Sequence, residues 1–208
     1  MRILITAGPT REPIDPVRYI SNYSSGRMGV ALVQAALAAH HSVTAILGPI
    51  SFDLPAAARR IDVQSTREMH DAVLREFPSH DVLIMAAAVA DYRPCQVADH
   101  KLGRGGRLVI ELEPTEDIVA AAAQSKGANQ WVIGFSLEAA GDLARARQKL
   151  ARKKLDLIVF NPLQTMNSPE ILATLLYADG RQEPLAPVAK EQFAQILIQR
   201  LSGLHSPA

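Results

Sequence analysis

The stretch Thr6–Gly29 (TAGPTREPIDPVRYISNYSSGRMG) holds the residue types and spacing best suited to chemistry on a phosphorylated ligand. It leaves an apolar run and ends at a predicted helix start bearing Ser24, Ser25, Gly26 and Gly29. Small residues there let backbone N–H groups approach a phosphate, and the positive end of a helix favours anions. The spacing is neither GxGxxG nor GxxxxGK[ST], so a helix capped by Ser and packed closely through Gly explains the same residues equally well. Asn22 carries an amide that can hold a carbonyl oxygen and stabilise an oxyanion without titrating. An Asx turn is its other use. Arg18 has the fork geometry for a carboxylate or phosphate, or is a solvated loop residue.

Further along, Ala86, Ala87 and Ala88 leave room for a ligand against the backbone, and Asp91 follows as a hydrogen-bond acceptor or metal ligand, or as the acceptor of a tight turn. Lys101 and Arg104 lie on a Gly-rich stretch able to close over a polyphosphate, or simply solvated. Arg145, Lys149, Arg152 and Lys153 recur at three- and four-residue spacings, which makes one helix face cationic. Such faces are usually solvated; at the rim of a cleft, Lys149 and Lys153 would take a triphosphate. Phe135, after Gly134, is a candidate to stack on a base or a core aromatic. No Ser–His–Asp or Cys–His set appears, and the six histidines lack HExxH or other ligand spacing. The inventory favours positioning and neutralisation of phosphate charge over a covalent enzyme nucleophile.

These residues need a scaffold, and the apolar pattern supplies one. Arg2–Thr6, Ser42–Leu47, Asp81–Ala88, Trp131–Phe135 and Leu157–Phe160 read as strands, and Leu108–Glu113 as a half-exposed one. Between them fall helices over 24–41, 66–77 (with Thr66 as N-cap), 116–124, 141–155 and 189–201. Residues 7–21 read as a loop, and about 92–107 as a flexible flap. Asp179-Gly180 signals a hairpin over about 171–186. Alternating strands and helices predict an α/β, Rossmann-like three-layer sandwich: a mostly parallel sheet with helices on both faces and an antiparallel C-terminal hairpin. Ligands bind such sheets beyond the carboxyl ends of the strands.

The 208 residues suit one domain, 1–208, and 48% hydrophobic with 21% charged residues is ordinary globular usage. Twenty-two Lys and Arg against 21 Asp and Glu leave a net charge of +1, which argues against a protein that coats nucleic acid or a membrane surface. A single cysteine, Cys95, excludes an intramolecular disulfide and a Cys-based zinc site, and is expected half-buried. The opening MRILITAG is too short for a membrane span and lacks a signal-peptide layout, so a cytoplasmic protein is expected.

The motifs GPTREPIDPVRYISNYSSGRMG, AAAVADYRP, Lys101, PTEDIV, GFSLE, ARQKLARKKLDLIVFN and the late ADG, in this order over about residues 2–200, resemble the phosphopantothenate–cysteine ligase family. The resemblance implies a bacterial CTP-dependent member, stand-alone or excised from a bifunctional decarboxylase/ligase. It implies that 4′-phosphopantothenate attacks CTP to give an acyl-cytidylate and pyrophosphate. L-cysteine then displaces CMP, with Mg²⁺ shielding the triphosphate. Carried over position by position, Asn22 would hold the substrate carboxylate, with Arg18 supporting that region. Ser24, Gly26 and Gly29 would line the phosphate-binding helix start. Ala86, Ala87 and Asp91 would face substrate and nucleotide. Asp117, Ile118 and Val119 would border the nucleotide, with Phe135 near the base. Lys149 and Lys153 would contact CTP, and Asn161 would lie at the last strand's end. Lys101 would act from the flap in the second half-reaction. The resemblance also implies a homodimer with flap and hairpin near its contact, and a fused or separate phosphopantothenoylcysteine decarboxylase; it names no metal ligands. The flap departs from the family's Lys, apolar, Lys, Lys: here it is Lys101-Leu102-Gly103-Arg104. Two other classes remain: an NAD(P)-dependent Rossmann oxidoreductase, without GxGxxG to support it, and a catalytically impaired regulatory member of the family.

Overall fold

The computed structural model describes residues 1–138, 142–163 and 168–205. In chain order its elements are β1 (Arg2–Ala7), β2 (Arg11–Pro13), β3 (Tyr19–Ser21), α1 (Arg27–Ala38), β4 (Ser42–Leu47), β5 (Arg59–Asp62), α2 (Thr66–Glu76), β6 (Val82–Met85), β7 (Tyr92–Pro94), β8 (Leu112–Pro114), α3 (Ile118–Ser125), β9 (Trp131–Glu138), α4 (Leu143–Arg152), β10 (Leu157–Pro162), β11 (Glu170–Ile171), β12 (Thr174–Tyr177), β13 (Gln182–Pro184), β14 (Val188–Ala189) and α5 (Lys190–His205). Eight strands form the main sheet in the order β13-β12-β10-β9-β6-β1-β4-β5. The six from β10 to β5 run parallel, and β12 and β13 are antiparallel.

The central strands are continuous apolar runs because both faces are covered. Along β1, Ile3, Ile5 and Ala7 point to one side, into a core shared with Leu32 and Ala36 of α1 and Phe193 and Leu197 of α5. Leu4 points to the other, among Met69 and Val73 of α2, Ala122 of α3 and Leu150 of α4. Two helices on one face and three on the other complete the three layers. No helix among the described residues is long and apolar enough to cross a membrane.

Several boundaries differ from the sequence reading. Helix α1 begins at Arg27 rather than Ser24, because Gly26 caps it in the left-handed region (φ 78°), with no side-chain cap. Ser65, not Thr66, caps α2: its hydroxyl accepts from Glu68 N–H at 3.2 Å, while Thr66 turns inward. The predicted loop 7–21 contains the small antiparallel hairpin β2–β3. The run 81–88 is strand only over Val82–Met85, and its alanines lead into the next loop. The flap stands on an antiparallel ribbon, β7 with β8, and of the expected strand 108–113 only its end forms Leu112–Pro114, which is exposed. Edge strand β5, with the charged sequence RRID, has no apolar pattern to announce it. The hairpin forms around Gly180 (φ 93°); its Leu175 and Leu176 are fully buried in the main sheet, while Leu172 is exposed. Cys95 is exposed rather than half-buried.

Candidate functional site

Counted along the sheet, the six parallel strands read 3-2-1-4-5-6, so the order in which strands are added reverses between β1 and β6 and opens a crevice there. The two strands stay in contact past their ends. Ala88 N–H donates to Gly8 O at 2.9 Å, and Pro9 bridges Ala88 in parallel. Gly8 (φ 80°) turns the chain out of β1, and Gly29 lets α1 lie directly on it. A Cβ on Gly29 would stand 2.2 Å from Ala7 Cβ.

The 86–91 loop is fixed from below. Thr6 Oγ1 accepts from Ala87 N–H at 3.2 Å, and Thr10 Oγ1 accepts from Ala90 N–H at 2.9 Å. Thr10 is tied to Thr66 at 3.0 Å, and buried Glu12 accepts from both the N–H and the hydroxyl of Thr66 at 2.8 Å. Thr115 holds the far side by donating to Ala90 O at 2.6 Å. Small residues lining a ligand crevice are thus held rigidly by hydroxyls beneath them.

Two hollows border this loop, and a third adjoins the first. The first, about 230 Å³, runs between the α1 start (Ser24, Gly26, Gly29), Ala86, Ala87, Phe135, Asn161 and Lys190. The second, about 290 Å³, is lined by Ala87, Asp91, Asp117, Ile118, Val119, Phe135, Lys149 and Lys153. Ala87 and Phe135 belong to both, so the two are lobes of one cleft. Phe135 forms the partition, braced edge-to-face by Phe193 at 6.4 Å. The third hollow, about 630 Å³, contains Asn22 and Arg11 and shares Tyr23, Ser24 and Ser25 with the first.

The lobes differ in electrostatics. In the first, Ser24 Oγ and Ser25 Oγ accept from Gly26 and Arg27 N–H at 3.3 and 3.4 Å, and the first intrahelical bond is Val30 N–H to Gly26 O. The first turn of α1 carries no acidic side chain of its own to offset the positive helix end. In the second, Lys153 pairs with Asp117 at 2.8 Å, while Asp117 also caps α3 by accepting from Ala120 N–H. Lys149 donates to Phe135 O at 3.3 Å, and burial, then Lys153, lower its pKa from the usual lysine value. Bringing an anion to Lys149 and Lys153 would relieve that penalty.

Asn22 is exposed; its amide donates to Val89 O at 2.8 Å and Ala88 O at 3.4 Å. Arg18 and Lys101 border none of these hollows. Arg18 pairs with Asp15 and donates to Leu102 O at 2.9 Å. Asp15 Oδ2 accepts from Leu102 N–H at 3.1 Å, and Ala98 N–H donates to Ile14 O, so the flap is seated on the β2–β3 turn beside exposed Lys101. The Arg18 guanidinium holds the Asp15 carboxyl well below the usual carboxylate range. Sequence reading missed two residues here. These are Asp15, in the β2–β3 turn, and Lys190, the first residue of α5. Neither has a local signal, since each acts across a tertiary contact.

A family model described as the DNA/pantothenate metabolism flavoprotein C-terminal domain matches residues 1–204. A cysteine/cysteine sulfinic acid decarboxylase from an unknown prokaryotic organism is 50% identical over 166 residues, covering 78% of this chain and 46% of that protein. The coenzyme A biosynthesis bifunctional protein CoaBC of Vibrio cholerae serotype O1 is 43% identical over 204 residues, 95% of this chain and 51% of its own. The crystal structure of the C-terminal domain of a coenzyme A biosynthesis bifunctional protein CoaBC superposes with a TM-score of 0.85 at 36% identity, covering 98% of this chain and 94% of that one. The chain thus spans about half the length of these curated relatives.

Proposed function

Because the chain belongs to the family of the DNA/pantothenate metabolism flavoprotein C-terminal domain, we propose that it is a phosphopantothenate–cysteine ligase acting in coenzyme A biosynthesis, with CTP as cosubstrate. The observation that carries this reading is the chain of three hollows: Ala87 and Phe135 line both the second and the first, Tyr23, Ser24 and Ser25 line both the first and the third, and Asn22 lines the third. The two-lobed cleft suits a nucleoside triphosphate, and the larger hollow beside Asn22 suits an extended acid.

The reaction runs in two steps. A carboxylate oxygen of 4′-phosphopantothenate bonds to the α-phosphorus of CTP, and the bond to pyrophosphate breaks. The amine nitrogen of L-cysteine then bonds to the acyl carbon; CMP leaves and the amine loses its proton. Asn22 orients the carboxylate and steadies developing negative charge by hydrogen bonding. The α1 start carries phosphate oxygens, Lys149 and Lys153 neutralise phosphate charge, and Asp117, Ile118, Val119 and Phe135 enclose the nucleoside. Lys101, brought in by the flap with Arg18 behind it, acts in the second step. Among the described residues no three His, Cys, Asp or Glu side chains form a metal cage. That donor set fits a Mg²⁺ held chiefly by the triphosphate, with Asp91 as protein carboxylate; the ion would shield triphosphate charge.

A phosphopantothenoylcysteine decarboxylase, fused or separate, would consume the product. The decarboxylase activity named for the 50% identical relative falls, on this reading, to the part of that protein outside the match. A homodimer would cover the flap ribbon, where Leu108, Val109 and Leu112 are exposed.

The test is pyrophosphate release from 4′-phosphopantothenate and Mg²⁺ with CTP or ATP, with and without L-cysteine. CTP-dependent release accelerated by cysteine, with CMP formed, is expected. Release with ATP alone would overturn the nucleotide assignment, and no release with either would favour a member that has lost its chemistry.

A further inference from the structure

The first lobe holds a cation that the scheme above leaves unused. Lys190 is the first residue of α5, and its backbone is anchored by the β11–β14 pairing and by its N–H donating to Pro169 O at 3.1 Å. Its side chain lines the lobe together with Ser24, Gly26 and Gly29. The ammonium makes no hydrogen bond or ion pair among the described residues, although it is half-buried. Its charged neighbours are Arg27 and Glu191, and Glu191 is already shared with Arg27 at 3.9 Å. Burial first, then Arg27, lower the Lys190 pKa from the usual lysine value. The α1 start adds further positive potential, because its first turn carries no acidic side chain. Two cations and a helix N-terminus therefore crowd one lobe, a costly arrangement unless an anion arrives.

We propose that Lys190 is a phosphate ligand of the first lobe, gripping the polyphosphate of a nucleoside triphosphate together with the α1 start. This rests on the reading that the cleft takes such a nucleotide. It assigns the C-terminal helix a direct share in substrate binding, beyond its packing against α1. Lysine suits this task as a compact point charge on a stem that follows a flexible phosphate chain.

The experiment titrates cytidine, CMP, CDP and CTP into the full chain, as wild type, Lys190→Gln and Lys190→Arg, by calorimetry, with turnover measured in parallel. A charge-assisted contact of this kind changes affinity by roughly 10- to 100-fold. The expected result is such a loss of CTP affinity in Lys190→Gln, shrinking as phosphates are removed and absent for cytidine, with most of it regained in Lys190→Arg. Undiminished CTP affinity in Lys190→Gln overturns the proposal, as does an equal loss for cytidine, which would mark a packing role. A wild type that binds CTP with this pattern but shows no turnover refutes the ligase reading and leaves the Lys190 assignment standing. Normal turnover with unchanged affinity in Lys190→Gln does the reverse.

Discussion

Gly29→Ala sets helix propensity against packing. In an exposed helix the change gains about 1 kcal/mol. Here the new methyl carbon would stand 2.2 Å from Ala7 Cβ, 3.0 Å from Ala7 Cα and 3.3 Å from Thr6 O. Carbons pack at roughly 3.5–4.0 Å, so α1 must withdraw by more than about 1 Å from a strand buried at the centre of the sheet. Overpacking costs about 3 kcal/mol at the upper end of its usual range, which the propensity gain reduces to about 2. At roughly 2–4 °C per kcal/mol for a chain of this size, Tm should fall by about 4–8 °C in calorimetry. Ala7→Gly supplies the control. Alone it loses a buried methyl and frees the unfolded backbone, about 1–2 kcal/mol. Combined with Gly29→Ala it removes the 2.2 Å overlap and leaves the 3.0 Å approach to the Cα of residue 7, so the double variant should lose less stability than the sum of the two single losses. An unchanged or raised Tm for Gly29→Ala, or strictly additive losses in the double variant, would refute the close contact.

Three further outcomes follow from the geometry. Asn22→Asp replaces a donor facing Ala88 O and Val89 O by a carboxylate that would also repel the substrate acid. Turnover should drop by roughly 10²–10³ while Tm stays within a few degrees, and near-normal turnover would remove Asn22 from the mechanism. In Asp15→Asn, Oδ1 can still accept from Val17 and Arg18 N–H at 2.8 Å, but the atom facing Arg18 and Leu102 N–H becomes a donor. The turn should persist and the flap come loose, so trypsin should cut after Lys101, Arg104 and Arg107 severalfold faster; unaltered cleavage would sever the link between turn and flap. Lys149 has a folded pKa below its unfolded one, so its buried charge weakens the fold at neutral pH, and this penalty fades as pH rises through the folded pKa toward the unfolded value. Lys149→Met should therefore raise Tm at pH 7, with the gain narrowing in alkali, while nucleotide affinity falls; a lower Tm at pH 7 would contradict that sign.

The central strands were legible because burial on both faces leaves a run of apolar residues that no other element needs. The loops carrying the cleft followed from the rule for parallel sheets, which points to strand ends whatever the residues there. Less legible was whatever depends on partners distant in sequence. Edge strand β5 pairs on one side only and carries charge, so no apolar pattern marks it. Gly26 ends the approach to α1 through its backbone angle, and the serines before it suggested an earlier start. Arg18 was recognised as an anion partner, but that anion is Asp15 of its own turn. In the apolar hairpin Leu175 and Leu176 complete this chain's own sheet, while Leu172 stays exposed. Periodicity reports how a segment is buried and says nothing of what buries it.

The packing of α5 against α1 has a consequence for synthesis on the ribosome. Strand β1 and helix α1 leave the tunnel about 150 residues before the helix that covers their shared face. Until then Ile3, Ile5 and Leu32 lack Phe193 and Leu197 above them, and a core closed by contacts this distant in sequence assembles late. Nascent chains that stop short of α5 would therefore display an uncovered apolar face and lack a wall of the first lobe. They would be conspicuous to chaperones and proteases through that face.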